Sequence, residues 1–292
     1  MLFRSKFATA AIGGSLRSAF VKMAPCIGTP VEPHADPETE FFPCTRAGAL
    51  QRLKAFSPRA SRYAASRNHV SPGHDGVSRL SAAIRHRLLL EEEVVAQLME
   101  VHSFGAVEKY LQEIHWRTYW KGWLEHRPHV WQDYCDGVRA WRGNVSPQMW
   151  ERVDALCRGE SGVAILDHFA RELVATGYLH NHARMWWAGY WIHAEGLPWQ
   201  LGADFFYRHL IDADAASNTL SWRWVAGIQT PGKAYLPRRS NLERFCSPAL
   251  MEDTTGLERL EDGVVERAQV EDTATRTDRK STRLNSSHAN IS

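Results

Sequence analysis

The sequence contains no apolar run of eighteen residues, the length a membrane-spanning helix needs, so a chain free of the membrane is expected. Its five cysteines, Cys26, Cys44, Cys135, Cys157 and Cys246, make no C-x-x-C pair and no metal spacing with histidine. That argues against zinc or an iron–sulfur cluster and fits reduced thiols in a cytoplasmic compartment. A βαβ alternation of strands and helices is also missing, so an α/β nucleotide fold is not expected. Excess charge is lacking as well. The formal net charge is +2, but Met1 to Ser5 and the tail from Asp278 to Ser292 (DRKSTRLNSSHANIS) read as translated sequencing adapters with no hydrophobic periodicity. Setting aside Arg4, Arg279, Lys280 and Arg283 against Asp278 leaves 31 basic and 32 acidic residues, a net charge of −1. Any nucleic-acid binding therefore has to rest on a local patch.

What remains is a chain of about 270 residues, enough for one large domain or two small ones, and a hydrophobic content of 44% permits a substantial core. Residues 1–39 read as an irregular N-terminal segment. Within it, residues 6–22, with Lys6, Arg17 and Lys22, mimic a targeting peptide or are translated upstream sequence, and Met23 is a plausible start. Residues 40–250 form the folded body. Residues 251–292 are charged and Thr-rich, which suggests a mobile end.

The body reads as all-α. Thr45 is placed to N-cap a helix through Ala49, Leu53 and Phe56, and Ser71, Pro72 and Gly73 mark a loop after it. Phe104 to Glu125 puts Phe104, Val107, Leu111, Ile114 and Thr118 on one stripe and Trp116, Trp120 and Trp123 on a second, the pattern of a helix between layers or beside a pocket. Further helices are expected over 163–176, 181–193, 203–210 and 215–226, with breaks at Gly177, Gly196, Pro198 and Gly202.

Two clusters stand out. The first is His180, Asn181, His182, Ala183, Arg184, Met185; the second is Asp212, Ala213, Asp214, followed by Asn218, Trp222 and Trp224, with Trp199 between them. Charges and amides interleaved with tryptophan at helical spacing suit a redox cofactor inside a bundle. Upstream, Val77, Ser78, Arg79, Leu80 and Ser81 precede a helix and offer hydroxyls and backbone N–H groups to an anion, or simply cap that helix. Glu113, Trp116 and Arg117 share a helix face, where the indole is either a core residue or a stacking platform for an extruded base. The Asp-x-Asp pair could suggest a metal, but no His or Glu pattern supports one.

Over roughly residues 40–250 these motifs resemble the flavin-binding half of the DNA photolyase and cryptochrome family. The resemblance implies an all-α FAD-binding domain, either standing alone from near Met23 or cut short by its adapter, with no antenna domain ahead of it. It implies FAD held by Ser78, Arg79, Leu80, Ser81, Arg117, Asn181, Arg184, Asp212, Asp214 and Asn218. The Arg184–Asp212 pair would respond to the charge of the flavin ring, and Asn218 would present its amide near flavin N5. Glu113, Trp116 and Met185 would hold a pyrimidine dimer. Trp222 and Trp199 match the inner members of an electron-transfer chain, whose outer position is occupied here by Ser146, leaving Trp141 or Trp150 as substitutes. Val77 stands where the family has a hydroxyl. After Trp224 the family's aromatic-Arg-x-Phe-Asn-Pro segment gives way to Lys233, Ala234, Tyr235, Leu236, Pro237, Arg238, Arg239, Ser240 and Asn241.

The resemblance implies a light-dependent flavoprotein that splits cyclobutane pyrimidine dimers in UV-damaged DNA, with no metal. Its alternative is a cryptochrome-like blue-light photoreceptor that shifts a signalling partner and repairs nothing. A helical module without cofactor is the third reading, and it requires Arg184 and Asp212 to be only a buried ion pair.

Overall fold

The computed structural model describes Pro43, residues 45–230 and residues 233–272. The expectations for segment 1–39, Met23 and the adapter-like 278–292 lie outside the described residues. Twelve helices can be named among those described: α1 (Arg46–Phe56), α2 (Tyr63–Ser66), α3 (Ser81–Arg85), α4 (Glu91–Met99), α5 (Phe104–Glu125), α6 (Pro128–Asn144), α7 (Pro147–Arg158), α8 (Ala164–Thr176), α9 (Asn181–Gly189), α10 (Trp199–His209), α11 (Ala215–Val225) and α12 (Arg239–Phe245). The only β pairing among the described residues is an isolated bridge between Val70 and Cys246. The fold is all-α.

Two apolar clusters organise it. The smaller gathers Ala49, Leu53 and Phe56 of α1, Ile84 of α3, Val94 and Leu98 of α4, and the first half of α5 through Val107, Leu111 and Ile114. The middle of the stripe read from the sequence, Val107, Leu111 and Ile114, is the buried face of α5 together with Tyr110, whereas Phe104 at its start and Thr118 at its end are exposed because the cluster does not extend past them. Its second stripe behaves differently: Trp120 and Trp123 pack beside Val130 and Leu220, while Trp116 is 45% exposed. The larger cluster is built by α6 to α12, with Trp186 and Trp191 fully buried at its centre.

Local chemistry sets the helix ends. The Thr45 hydroxyl accepts from the Gly48 backbone N–H at 3.1 Å, so α1 is capped as its sequence indicates. Gly177, at φ +68°, ends α8 in the left-handed region. Two helix boundaries differ from the sequence pattern. The helix begun at Asn181 passes into a π turn over Tyr190–Ala194, and α10 starts at Trp199 and runs through Gly202 without a break. Gly202 is there for space: a Cβ would stand 2.3 Å from Cη2 of Trp222 and 3.0 Å from Cε2 of Trp191. The glycine lets α11 lie close against α10, and Asn218 Nδ2 donates to the Ala203 carbonyl at 2.8 Å across that contact.

Residues 251–272 also depart from expectation. Their charge concealed Leu257, Leu260 and Val265, which are buried in the larger cluster. The segment is held further by two parallel hydrogen bonds from Arg223 to Asp272, both 3.0 Å, and by the Ala268 N–H donating to His193 Nδ1 at 3.1 Å.

Candidate functional site

A single cleft is walled by the loop before α3, by α5, by the start of α9, and by the loop leading into α11. The sequence-derived residues that line it are Ser78, Arg79, Leu80, Ser81, Glu113, Trp116, Arg117, Asn181, Arg184, Met185, Asp212, Asp214, Asn218 and Trp222. They come from four separate stretches of chain. Trp199 lies outside it, buried at the first turn of α10.

The charge pattern is built around two aspartates. Asp214 is the N-cap of α11: one carboxylate oxygen accepts from the Ser217 N–H at 3.0 Å, and the other accepts from Arg117 at 2.9 Å. Arg85 approaches the same oxygen at 3.8 Å. Among the described residues, the ion-pair partners of Asp212 are Arg184 at 3.8 Å and Arg117 at 3.9 Å. Arg184 spends its Nε–H on the Leu179 carbonyl at 2.8 Å. A buried carboxylate flanked by two guanidinium groups yet bonded closely to neither leaves hydrogen-bonding capacity at the cleft.

The α9 segment is positioned by a histidine. His180, not Asn181, is the N-cap, and its Nδ1 accepts from the His182 N–H at 3.1 Å. Burial, helped by neighbouring His74 and His182, pulls the His180 pKa down to about 3, which keeps this nitrogen an acceptor. Asn181 is therefore free of capping and reaches toward Met185 Sδ at 3.9 Å.

The Ser78–Ser81 stretch owes less to its helix than the motif suggests. Helix α3 has five residues, too short for its dipole to matter much. The positive field comes from side chains instead. Arg79 sits at φ +58°, in the left-handed region, and is buried. Its pKa is lowered to about 10, first by burial and then by the like charge of Arg52. Arg52 itself donates to the Ser78 carbonyl at 2.9 Å.

Glu113 and Trp116 differ in availability. Glu113 accepts from Arg67 at 2.9 Å and pairs with Lys109 at 3.0 Å. Trp116 presents its face, stacked on Trp120 at 5.5 Å between centroids and 27° between planes, with Tyr119 edge-on at 5.2 Å. Ser146 is fixed as the N-cap of α7, accepting from the Met149 N–H at 3.3 Å. Trp141 is 37% exposed, and Trp150 is half-buried against the larger cluster. The basic loop after Trp224 is tied to the body: Arg239 pairs with Glu243 and Glu261, and Trp186 and Tyr235 both donate to Asn241 Oδ1 at 2.9 and 3.1 Å.

Sequence reasoning missed Tyr63, Tyr110, Tyr178, Ser217 and Ser221 on the cleft wall. Ser221 follows Asn218 by three residues, so helical phase alone would have found it. Tyr63 carried no local signal, since α2 reaches the cleft only through packing.

Among the described residues, three buried polar atoms at this cleft have no hydrogen-bond partner: Arg117 Nε, Ser217 Oγ and Trp222 Nε1. Buried polar groups are ordinarily satisfied, so three at one cleft point to a polar ligand. Among the described residues no group of three His, Cys, Asp or Glu side chains is arranged to hold a metal, and no helix is long and apolar enough to cross a membrane.

Residues 110–253 match the family model described as the FAD binding domain of DNA photolyase. The deoxyribodipyrimidine photo-lyase of Escherichia coli (strain K12) is 30% identical over 218 residues, covering 68% of this chain and 42% of that protein. The corresponding photo-lyase of Salmonella typhimurium is 29% identical over 241 residues, covering 74% of this chain and 47% of its own length. The chain thus spans less than half the length of these relatives. A bacterial class III photolyase from Agrobacterium tumefaciens superposes with a TM-score of 0.58 at 26% identity, covering 69% of this chain and 42% of that one. A Synechocystis cryptochrome shares the fold at 18% identity, with a TM-score of 0.63 over 82% of this chain and 56% of its own.

Proposed function

Residues 110–253 make this chain a member of the photolyase and cryptochrome family of FAD-binding domains, and from that membership we propose that the cleft seats FAD in a light-dependent flavoprotein of photolyase type. The observation that carries the reading is the meeting of Arg117, Arg184, Asp212 and Asp214 with the unsatisfied atoms of Arg117, Ser217 and Trp222 at one cleft.

The residues present fit the cofactor. Ser78 and Ser81, in the field of Arg79 and Arg52, would carry the diphosphate, because hydroxyl donors and desolvated guanidinium groups are what a phosphate needs. Arg117, Asn181, Arg184, Asp212, Asp214 and Asn218 would hold the ring and its ribityl arm, with Leu80 closing the wall as an apolar core residue. The Asn218 amide is oriented by its bond to Ala203, so it offers a fixed rather than a rotating group to the ring. Reduced FAD, once excited by blue or near-UV light, would supply one electron to a cyclobutane pyrimidine dimer and recover it after the ring opens.

The protein's own task is to bring the lesion to the cofactor and keep competing reactions out. Trp116 gives an exposed indole face for a base turned out of the duplex, and Met185 gives a pliable apolar wall. Glu113 would hydrogen-bond a pyrimidine edge, steered by Arg67 and Lys109, which fix its carboxylate. Trp222 and Trp199 would return electrons to a cofactor that has lost them. UV-damaged DNA is the proposed partner.

A photoreceptor reading is favoured by one observation: Glu113 already pairs with Arg67 and Lys109, so binding a lesion through it requires the carboxylate to exchange an internal bridge. The test is to load the chain with FAD, reduce it by light, and add an oligonucleotide carrying a thymine dimer under blue illumination. Restored thymine absorbance supports repair. Photoreduction without restoration supports the photoreceptor, and failure to retain FAD contradicts both.

A further inference from the structure

The loop that leads into Ser78–Ser81 is held in shape from several sides. Two of its non-glycine residues, His74 at φ +49° and Arg79 at φ +58°, hold left-handed backbone, a conformation that persists where the surroundings over-determine it. Hydrogen bonds fix both ends. The Val70 N–H donates to the Phe245 carbonyl at 2.8 Å, and the Arg52 Nε–H donates to the Ser78 carbonyl at 2.9 Å. At Gly76 the loop runs against the end of α2. There the Ser66 hydroxyl donates to the Gly76 carbonyl at 3.0 Å, and a Cβ on Gly76 would stand 2.8 Å from the Ser66 carbonyl oxygen.

Between these ends lies His74, 1% exposed although its neighbour Asp75 faces solvent. Its Nε2 is 2.5 Å from Oε1 of Glu172 on α8, 98 residues away. A carboxylate can only accept, so the imidazole N–H donates, and burial shields this charge-assisted bond from water. The His74 ring also meets Tyr178 edge-on at 5.1 Å and stacks on His180 at 5.9 Å and 20°. Tyr178 lines the cleft, with the Arg184 guanidinium 5.9 Å from its ring centre, and His180 is the N-cap of α9. One imidazole therefore links α8, the cleft wall and the cap of the helix that carries Asn181 and Arg184.

We propose that His74, anchored by Glu172, is a positioning residue that couples the Ser78–Ser81 loop to α9 and so sets how tightly FAD is held. The inference rests on the flavin reading of the cleft. With the imidazole pinned, the left-handed turn at His74 keeps Ser78 and Ser81 in place before a ligand arrives, and the α9 cap stays in register with them. Without the pin the loop relaxes toward commoner backbone, and binding has to reorder it.

The experiment is a fluorescence titration of the full chain with FAD, alongside hydrogen exchange of the FAD-free chain. Asparagine tolerates left-handed backbone but is too short to reach Glu172, so His74→Asn removes the imidazole and spares the turn. It should weaken FAD binding by about tenfold or more. Glu172→Ala, at a partly buried helical position, should weaken it in the same direction, and the double variant should be no weaker than His74→Asn. Glu172→Gln keeps an acceptor and should stay within about threefold of the parent. Peptides over 70–81 and 179–185 should exchange about tenfold faster in His74→Asn, with α11 unchanged. Asp167→Asn serves as the control at the other end of α8, where Asp167 accepts from the Ser161 and Gly162 N–H groups. It should lower thermal stability and leave FAD affinity unchanged. Parental affinity and exchange in His74→Asn and Glu172→Ala, when the parent saturates with FAD, overturn the anchor and leave the flavin reading intact. A parent chain that retains no FAD removes the flavin reading, and the anchor's role in affinity falls with it.

Discussion

Arg117 of α5 and Asp214 at the start of α11 meet at 2.9 Å although 97 residues separate them. That one contact joins two of the four chain segments forming the cleft, and Asp214 simultaneously caps α11 through the Ser217 N–H. Asp214→Ala removes both functions. We expect it to lower the unfolding free energy by about 1.5–3 kcal/mol, because the partly buried Arg117 loses its close charged hydrogen bond and keeps, among the described residues, only Asp212 at 3.9 Å, with about 1 kcal/mol of lost capping inside that figure. Asp214→Asn keeps a cap acceptor and should cost less. Urea denaturation of both variants checks the order, and a loss below about 1 kcal/mol for the alanine variant would contradict the account.

The α10–α11 contact offers a second test. Gly202→Ala would gain about 1 kcal/mol from helix propensity in an open site. Here the added Cβ meets the Trp222 ring at 2.3 Å. Overpacking of that kind costs about 1–3 kcal/mol, so the net effect should be destabilising. The displaced indole should also slow photoreduction, which thermal melting cannot report and flash spectroscopy can.

Acid should destabilise the protein. His180 is buried with a pKa pulled down to about 3, and His182, His193 and His209 are lowered for the same leading reason, burial. In the unfolded chain each takes a proton near about pH 6.5. Between that pH and the folded values the unfolded state binds more protons, so stability falls as pH falls. His180 alone should account for about 2 kcal/mol at about pH 5. Asp204 opposes this, since burial raises its pKa to about 6 and its folded form protonates first. Asp133, also raised by burial, acts the same way, but two carboxylates offset only part of four histidines. The melting temperature should therefore drop from neutral pH toward pH 5; a level or rising trend would contradict the burial of His180.

Arg79 should matter for the cofactor more than for the fold. Arg79→Gln removes charge-assisted hydrogen bonds worth about 1.5–3 kcal/mol to a phosphate, which corresponds to roughly a 10- to 100-fold loss of FAD affinity. Fluorescence titration with FAD reads this directly. Equal affinity in the variant would remove Arg79 from the proposed diphosphate site.

Much of the cleft could be read from the sequence because its residues lie close together in four short stretches of chain. Asp212, Asp214 and Asn218 lie within two turns, as do Asn181, Arg184 and Met185, so spacing alone groups them. What spacing does not encode is contact between distant segments. Tyr63 carries no motif, and it reaches the cleft only when α2 packs on α5. The capping of α9 fell to His180 instead of the favoured asparagine, because a buried neutral imidazole offers the same acceptor. Gly202 resembled a break because composition does not reveal that a tryptophan from another helix occupies the space. Similarly, the charged 251–272 stretch hid the apolar contacts of Leu257 and Leu260.

The most direct measurement is a titration of the full chain with FAD in the dark, followed by tryptophan fluorescence and flavin absorbance, then blue illumination of the saturated complex. The account predicts one saturable site per chain, weakened in Asp212→Asn, and bleaching of the oxidised flavin band that is lost in Trp222→Phe. Failure to saturate, or bleaching unaffected by Trp222→Phe, would contradict it.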